Sequence, residues 1–259
     1  MKLNISLNVI FFNIFYMSLI KLSAIDSTND YLKELSRTQI LENFTVVVTD
    51  KQTKGKGQMG ATWVSEEGKN LIMSILIKEV LQDVEAIFHL NVAIALSVLE
   101  VLNENKVPNL SIKWPNDIMS DHKKIAGILI ENSIKSDGKI ESVVGIGVNV
   151  NQQNFDNLPK ASSMALVSNS EFDLDELLHK IIFQIKKNCG YILTNQTDKL
   201  WSKYHENLFK ISIPMAFEDT SQNKFMGIIQ GVNSNGLLQI KIEDDSVKTF
   251  GIKEVQMLY

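Results

Sequence analysis

Cysteine is nearly absent from this 259-residue chain. Cys189 has no second thiol to pair with, which excludes an internal disulfide and points to a reducing, cytoplasmic setting. Near the end of a helical stretch it reads as a small buried residue. Histidine is scarce too: His89, His122, His179 and His205 lie far apart without ligand spacing, which argues against a zinc site. An excess of positive charge is also missing. The net charge of −4 and a pI near 5.6 leave no basic surface of the kind that phosphate backbones need, so DNA is not an expected partner. No repeat period or low-complexity tract stands out. An apolar run from Ile5 to Ile20 follows Lys2, but Asn8 and Asn13 interrupt it and it is short for a membrane span. It could be the core of a signal peptide cleaved after Leu22-Ser23-Ala24. The favoured reading is a start-site extension entering a first strand near Met17 to Leu22, with no membrane role.

What remains is an ordinary globular composition, 44% apolar and 22% charged, with enough chain for a sizeable core and one or two domains. Ser27 followed by Asp30 reads as a helix cap, predicting a helix from about Thr28 to Arg37. A β-branched strand is expected over Phe44 to Thr49 and another over Leu71 to Lys78. Apolar residues at Ile87, Leu90, Ile94, Val98 and Val101 give Asp83 to Asn105 a helical period. Strands follow at Leu110 to Trp114, Ile125 to Asn132 and Ile140 to Asn149, joined by short links that favour antiparallel pairing. Helices are predicted over Phe172 to Leu193 and Thr197 to Glu206. Beyond a hinge near Asn207 to Lys210 the texture changes to short alternating strands, Ile211 to Phe217, Lys224 to Val232, Gly236 to Ile242 and Val247 to Phe250, which suggests a small β-barrel. The expectation is an α+β chain with a mixed, largely antiparallel sheet flanked by helices in residues 1–208, and a barrel in 209–259.

The segment Lys113-Trp114-Pro115-Asn116-Asp117-Ile118, followed by Lys124-Ile125-Ala126-Gly127-Ile128-Leu129, places an ammonium, a carboxylate and a carboxamide among residues that read as buried strands. Pro115 cannot donate to a ladder, so Asn116 and Asp117 are expected at a strand break facing a cavity. A charged hairpin turning at Asp121-His122 is the plainer alternative. Lys124 is the leading catalytic candidate, because an ammonium near two anions neutralises their repulsion. Lys123 should point to the other face and be solvated. The loop Gly55-Lys56-Gly57-Gln58-Met59-Gly60 matches the dinucleotide fingerprint, but Ala61-Thr62-Trp63-Val64-Ser65 leads toward a strand instead of a helix, and no Walker A lysine follows. With Lys51, Lys54 and Lys56 and no acid between Asp50 and Glu66, the loop suits an anion or is simply solvated. Trp63 could stack on a purine or pack in the core.

Together with Asp26-Ser27-Thr28-Asn29, Gln52, Asn70-Leu71, Ser74 and Val144-Gly145-Ile146-Gly147-Val148-Asn149-Val150-Asn151, these blocks resemble the biotin protein ligase family from about Ile25 to Asn151. The resemblance implies a class II synthetase-like catalytic fold with a C-terminal SH3-like barrel. The implied reaction joins biotin and ATP into biotinyl-5′-AMP, with Mg²⁺ on the phosphates, and passes biotin to a lysine of a biotin carboxyl carrier domain. Lys124 and Asp117 would be catalytic, and Ser27, Thr28, Asn29, Gln52, Lys56, Gly57, Gln58 and Lys124 would hold biotin. Trp63, Lys113, Asn116, Gly147 and Asn149 would hold the adenylate, with Gly145 and Gly147 admitting the nucleotide to the backbone. No residue is expected to be a dedicated metal ligand. The chain departs from the arginine-rich loop of the family at Lys56, Gln58 and Ala61, which puts retention of the adenylate in question. Some 25 residues precede Asp26, too few for the DNA-binding domain of regulatory members. A lipoate or octanoate ligase and a biotin-adenylate sensor are the alternatives, and a monomer or a homodimer fits equally.

Overall fold

The Ser27 hydroxyl accepts from the Asp30 amide at 3.4 Å and caps helix α1 (Thr28–Thr38), as the sequence signal requires. The chain is described here by a computed structural model covering residues 18–156 and 158–259. Most of the N-terminal apolar run therefore lies outside the described residues. Its last residues enter β1 (Leu19–Ile25), which pairs in parallel with β2 (Val46–Gln52). From β2 onward every neighbouring pair is antiparallel. Strands β3 (Leu71–Lys78), β4 (Leu110–Lys113), β5 (Asp117–Ser120), β6 (Lys123–Ile134) and β7 (Ile140–Val148) complete a seven-stranded sheet of order β1-β2-β3-β7-β6-β5-β4. The mixed, largely antiparallel sheet is thus as expected, and β5 and β6 do turn at Asp121-His122.

Alternation along the strands decides what each face covers. Met73, Ile75 and Ile77 of β3 join the main core, which α2 (Ile87–Glu104), α4 (Leu174–Leu193) and α5 (Thr197–Glu206) complete. Leu76 of the same strand faces the other way and meets Leu32 of α1, Val47 and Val143. The α1 face is the one that carries the polar residues. Helix α2 is long and apolar enough to cross a membrane by length and composition, and 61% of its apolar window is buried inside the fold. A short helix, α3 (Met164–Ser168), was not anticipated; Ser163 caps it through the Leu166 amide.

The C-terminal strands β8 (Pro214–Asp219), β9 (Lys224–Val232), β10 (Leu238–Ile242), β11 (Val247–Phe250) and β12 (Val255–Leu258) form a second, five-stranded antiparallel sheet of order β11-β10-β9-β8-β12. Strand β12 was missed by the sequence reading. Among the described residues no ladder joins β11 to β12, so the strands expected to form a small β-barrel make an open five-stranded sheet. Its apolar residues Phe217, Ile229, Leu238 and Ile240 belong to the same core as the large sheet. The Trp114 indole donates to the Gly236 carbonyl at 2.9 Å, which ties the central motif to a turn of this sheet.

Candidate active site

Register builds the site floor. Ile72 pairs with Gly147, Gly147 with Gly127, and Gly127 with Asp117, a row across β3, β7, β6 and β5 on the α1 face. One row along, Ser74, Gly145 and Leu129 pair in the same way. Above these two rows lies a cavity of about 240 Å³. Lining it are Ser27, Thr28 and Asn29 at the start of α1, Gln52 at the end of β2, and Lys56, Gly57, Gln58 and Trp63 of the loop. Asn116, Asp117, Lys124, Gly127, Gly145 and Gly147 complete the chemistry-bearing part of the wall.

Lys124 reaches this face because the β5–β6 register shifts between Ile118 and Met119, so that Met119 pairs with Lys124 and Asp117 with Gly127. A bulge of this kind turns a side chain that strict alternation would send to the opposite face. The Lys124 backbone is pinned by its amide to the Lys160 carbonyl at 2.8 Å and its carbonyl to the Ser162 amide at 3.0 Å. Its ammonium lies 2.6 Å from Asp117 Oδ1 and 5.7 Å from the Trp63 ring centroid. Lys123 is exposed and reaches the Pro159 carbonyl, away from the cavity as expected.

The polar end is a hydrogen-bonded chain. Gln52 Oε1 accepts from the Thr28 amide at 2.8 Å and lies 3.0 Å from Thr28 Oγ1. Ser74 Oγ is 2.7 Å from Thr28 Oγ1 and 2.6 Å from Asn29 Oδ1. Asn29 Nδ2 donates to Glu131 Oε2 at 2.8 Å, and Lys33 holds the other Glu131 oxygen at 2.8 Å. Burial pulls on the Lys33 ammonium, but Glu131 and Asp30 outweigh it and raise its pKa. Glu131 and Lys33 were not found by sequence reasoning. The available signal was helical spacing, since Lys33 sits one turn after Asn29 on α1.

The loop is folded as a narrow hairpin in which Lys56 pairs with Thr62, closed by a turn at Gln58–Gly60. Lys56, the one charge kept at the three arginine positions, lies 2.5 Å from Asp30 Oδ2. Burial raises the Asp30 pKa, but Lys56 and Lys33 reverse the effect and leave it lowered. Lys253 of the second sheet donates to the Met59 carbonyl at 3.1 Å.

Two groups of expected site residues make contacts within the chain itself. Gly145 and Gly147 leave room for this chain's own side chains: a Cβ on Gly145 would stand 2.5 Å from Asn29 Oδ1, and one on Gly147 would stand 2.6 Å from two ring carbons of Trp63. The Trp63 ring therefore packs over the glycine floor, and its Nε1 is buried without a hydrogen-bond partner among the described residues. Lys113 and Asn149 do not line the cavity. The Lys113 ammonium sits 5.0 Å from the Tyr259 ring centroid, and the Asn149 amide donates to the Ser162 carbonyl at 3.0 Å. Asn116 does line it, with Nδ2 spent on the Ile128 carbonyl at 2.7 Å. Among the described residues no three His, Cys, Asp or Glu side chains come together as a metal site would require.

A helix-flanked mixed sheet, a glycine-floored cavity and a lysine–carboxylate pair under a glycine loop define an α+β protein with a small-molecule pocket. The comparisons with known proteins agree. A sequence profile of the biotin/lipoate A/B protein ligase family matches residues 22–151, and the chain belongs to that family. It is 29% identical over 245 residues to the bifunctional ligase/repressor BirA of Bacillus spizizenii, covering 92% of this chain and 71% of that protein. The biotin–[acetyl-CoA-carboxylase] ligase of Mycobacterium tuberculosis is 25% identical over 200 residues, 76% of this chain and 73% of its own length. Among solved structures, the biotin protein ligase from Aquifex aeolicus in complex with biotin and ATP superposes with a TM-score of 0.77 at 28% identity, covering 93% of this chain and 98% of that one.

Proposed function

We propose that this chain is an ATP-dependent biotin protein ligase that makes biotinyl-5′-AMP and passes the biotinyl group to a lysine of a carboxylase carrier domain in the cytoplasm. Residues 1–208 would form the catalytic unit and 209–259 a smaller module beside it. The observation that carries the reading is the meeting, in one cavity, of a neutral donor–acceptor chain from Gln52 to Asn29 with the Lys124–Asp117 pair. The first suits a cyclic urea, and the second suits a carboxylate beside a phosphate.

In the first step a biotin carboxylate oxygen attacks the α-phosphorus of ATP, the bond to the bridging oxygen breaks, and pyrophosphate leaves. Lys124 would lie between the two anions and hold the charge that builds on the α-phosphoryl oxygens, the kind of preorganised contact that lowers such barriers. Asp117 keeps that ammonium aimed over Gly127 until the substrates arrive. In the second step the carrier lysine amine attacks the acyl carbon, AMP departs, and the amine's proton is lost, with Asp117 the carboxylate at hand. No covalent enzyme intermediate is needed. Trp63, Asn116 and Gly147 would border the adenylate, while Lys113 and Asn149 are given no contact. Among the described residues Asp117 is the one carboxylate in the cavity wall and is already paired, so Mg²⁺ would be held chiefly by the ATP phosphates.

Pyrophosphate release with biotin, octanoate or lipoate as the acid tests the reading. Release with biotin, followed by label on a carrier lysine, is expected. Release with octanoate or lipoate alone would make the chain a lipoyl-type ligase, and biotin binding without release would make it a sensor.

A further inference from the structure

Proton bookkeeping along the polar chain favours one direction. Two hydroxyls, Thr28 and Ser74, supply two protons for three close oxygen–oxygen contacts, at 2.6 Å to Asn29 Oδ1, 2.7 Å between the hydroxyls and 3.0 Å to Gln52 Oε1. Two lone pairs facing each other at the shorter separations would repel. Placing the protons in the two shorter contacts has Ser74 donating to Asn29 and Thr28 donating to Ser74. Gln52 Oε1 loses little, because the Thr28 amide already donates to it at 2.8 Å. Two groups are then left to meet a ligand: a Thr28 lone pair that accepts, and the Gln52 Nε2 that donates.

This direction holds only while Asn29 keeps its oxygen toward Ser74. Glu131 enforces that orientation, since a flipped amide would set its oxygen against a carboxylate at 2.8 Å and against the Leu129 carbonyl at 3.4 Å. Lys33 fixes the carboxylate from its far side at 2.8 Å. The absence of a side chain at Gly145, where a Cβ would stand 2.5 Å from the Asn29 oxygen, leaves the amide its place.

We propose that Glu131, which does not touch the cavity, is a positioning residue that sets the hydrogen-bond polarity of the polar end, so that Thr28 accepts an N–H and Gln52 donates to a C=O, making the site selective for a cyclic urea. The inference rests on the biotin ligase reading. With Asn29 free to flip, the chain can run backwards, Asn29 to Ser74 to Thr28, and Thr28 then offers a proton where the urea offers one as well.

The test compares wild type with Glu131→Leu, which removes the acceptor, and Glu131→Gln, which keeps an oxygen for Asn29. The substrates are biotin and its two cyclic carbamate analogues, in each of which a ring oxygen replaces one ureido N–H. Biotin binding is measured by calorimetry alongside steady-state pyrophosphate release. In Glu131→Leu the Kd and KM for biotin should rise roughly tenfold, the scale of one charge-assisted hydrogen bond. Both kcat and the KM for ATP should stay within about twofold, because contacts near the phosphates are untouched. Preference for biotin over at least one carbamate should shrink, and Glu131→Gln should restore most of it. Unchanged biotin binding and preference in folded Glu131→Leu would overturn the proposal. So would a parallel loss of kcat and ATP affinity with preference intact, or a Glu131→Gln variant as impaired as Glu131→Leu. If Glu131→Leu fails to fold, Ser74→Ala cuts the same chain one bond further on and must show the same loss of preference. Wild type that binds biotin without releasing pyrophosphate would overturn the ligase reading, while the calorimetry would still decide the role of Glu131.

Discussion

Lys124→Met is the substitution whose consequences are most tightly constrained. The backbone at this position is held by two hydrogen bonds to residues 160 and 162, at 2.8 and 3.0 Å, which the side chain does not affect. What is lost is an ion pair of 2.6 Å whose partners are 33% and 20% exposed. A pair that solvent still reaches contributes about 1 kcal/mol at most. Leaving Asp117 without its partner costs a further ~1–2 kcal/mol. A drop of about 2–3 kcal/mol from the usual ~5–15 kcal/mol leaves the chain folded, and at roughly 2–4 °C per kcal/mol for a chain of this size Tm should fall by about 4–12 °C. Asp117→Asn added to Lys124→Met removes the stranded charge, so part of that Tm should return while activity does not. Adenylation should fall by roughly 10²–10³-fold, about 2.7–4 kcal/mol, the loss typical of one preorganised charge at a transition state. Thermal melts followed by circular dichroism and a pyrophosphate-release assay read the two effects separately. Near wild-type release from folded Lys124→Met would refute the reasoning.

Gly147→Ala should destabilise the chain by about 1–3 kcal/mol, because the added methyl meets two Trp63 ring carbons at 2.6 Å on a floor of backbone that cannot yield. Trp63→Ala in the same chain should recover part of the Tm, and a single variant as stable as wild type would show that the ring packs elsewhere. Cys189 is fully buried, and that burial pushes its thiol up to about 12, so labelling by a disulfide reagent at pH 8 should proceed only as fast as the protein unfolds. Rapid stoichiometric labelling of the native protein would place the thiol at the surface.

The sequence by itself determined the elements whose signals are local. The Ser27 cap, the helical period through α2, α4 and α5, and the runs that became β3, β9 and β11 follow from side-chain spacing over one or two turns. It also singled out Lys124, Asp117, Gln52 and the Ser27-Thr28-Asn29 group, which do line one cavity. Two short elements, α3 and β12, escaped the sequence reading. The meaning of the glycines was decided only by tertiary structure: cross-strand register sets Gly147 beside Gly127 and Gly145 beside Leu129, and the side chains that use the space come from α1 and the loop. Lys124 shares a face with Asp117 through a bulge that strict alternation does not foresee. Lys113 and Asn149 show the converse, since chemically suitable residues beside the motif were drawn to Tyr259 and Ser162 instead. Glu131 was joined to the polar chain behind the cavity by Asn29, a partner 102 positions away in sequence. A chain encodes its periods locally, but which polar group meets which is set by how sheet and helix pack, and that information is spread over the whole fold.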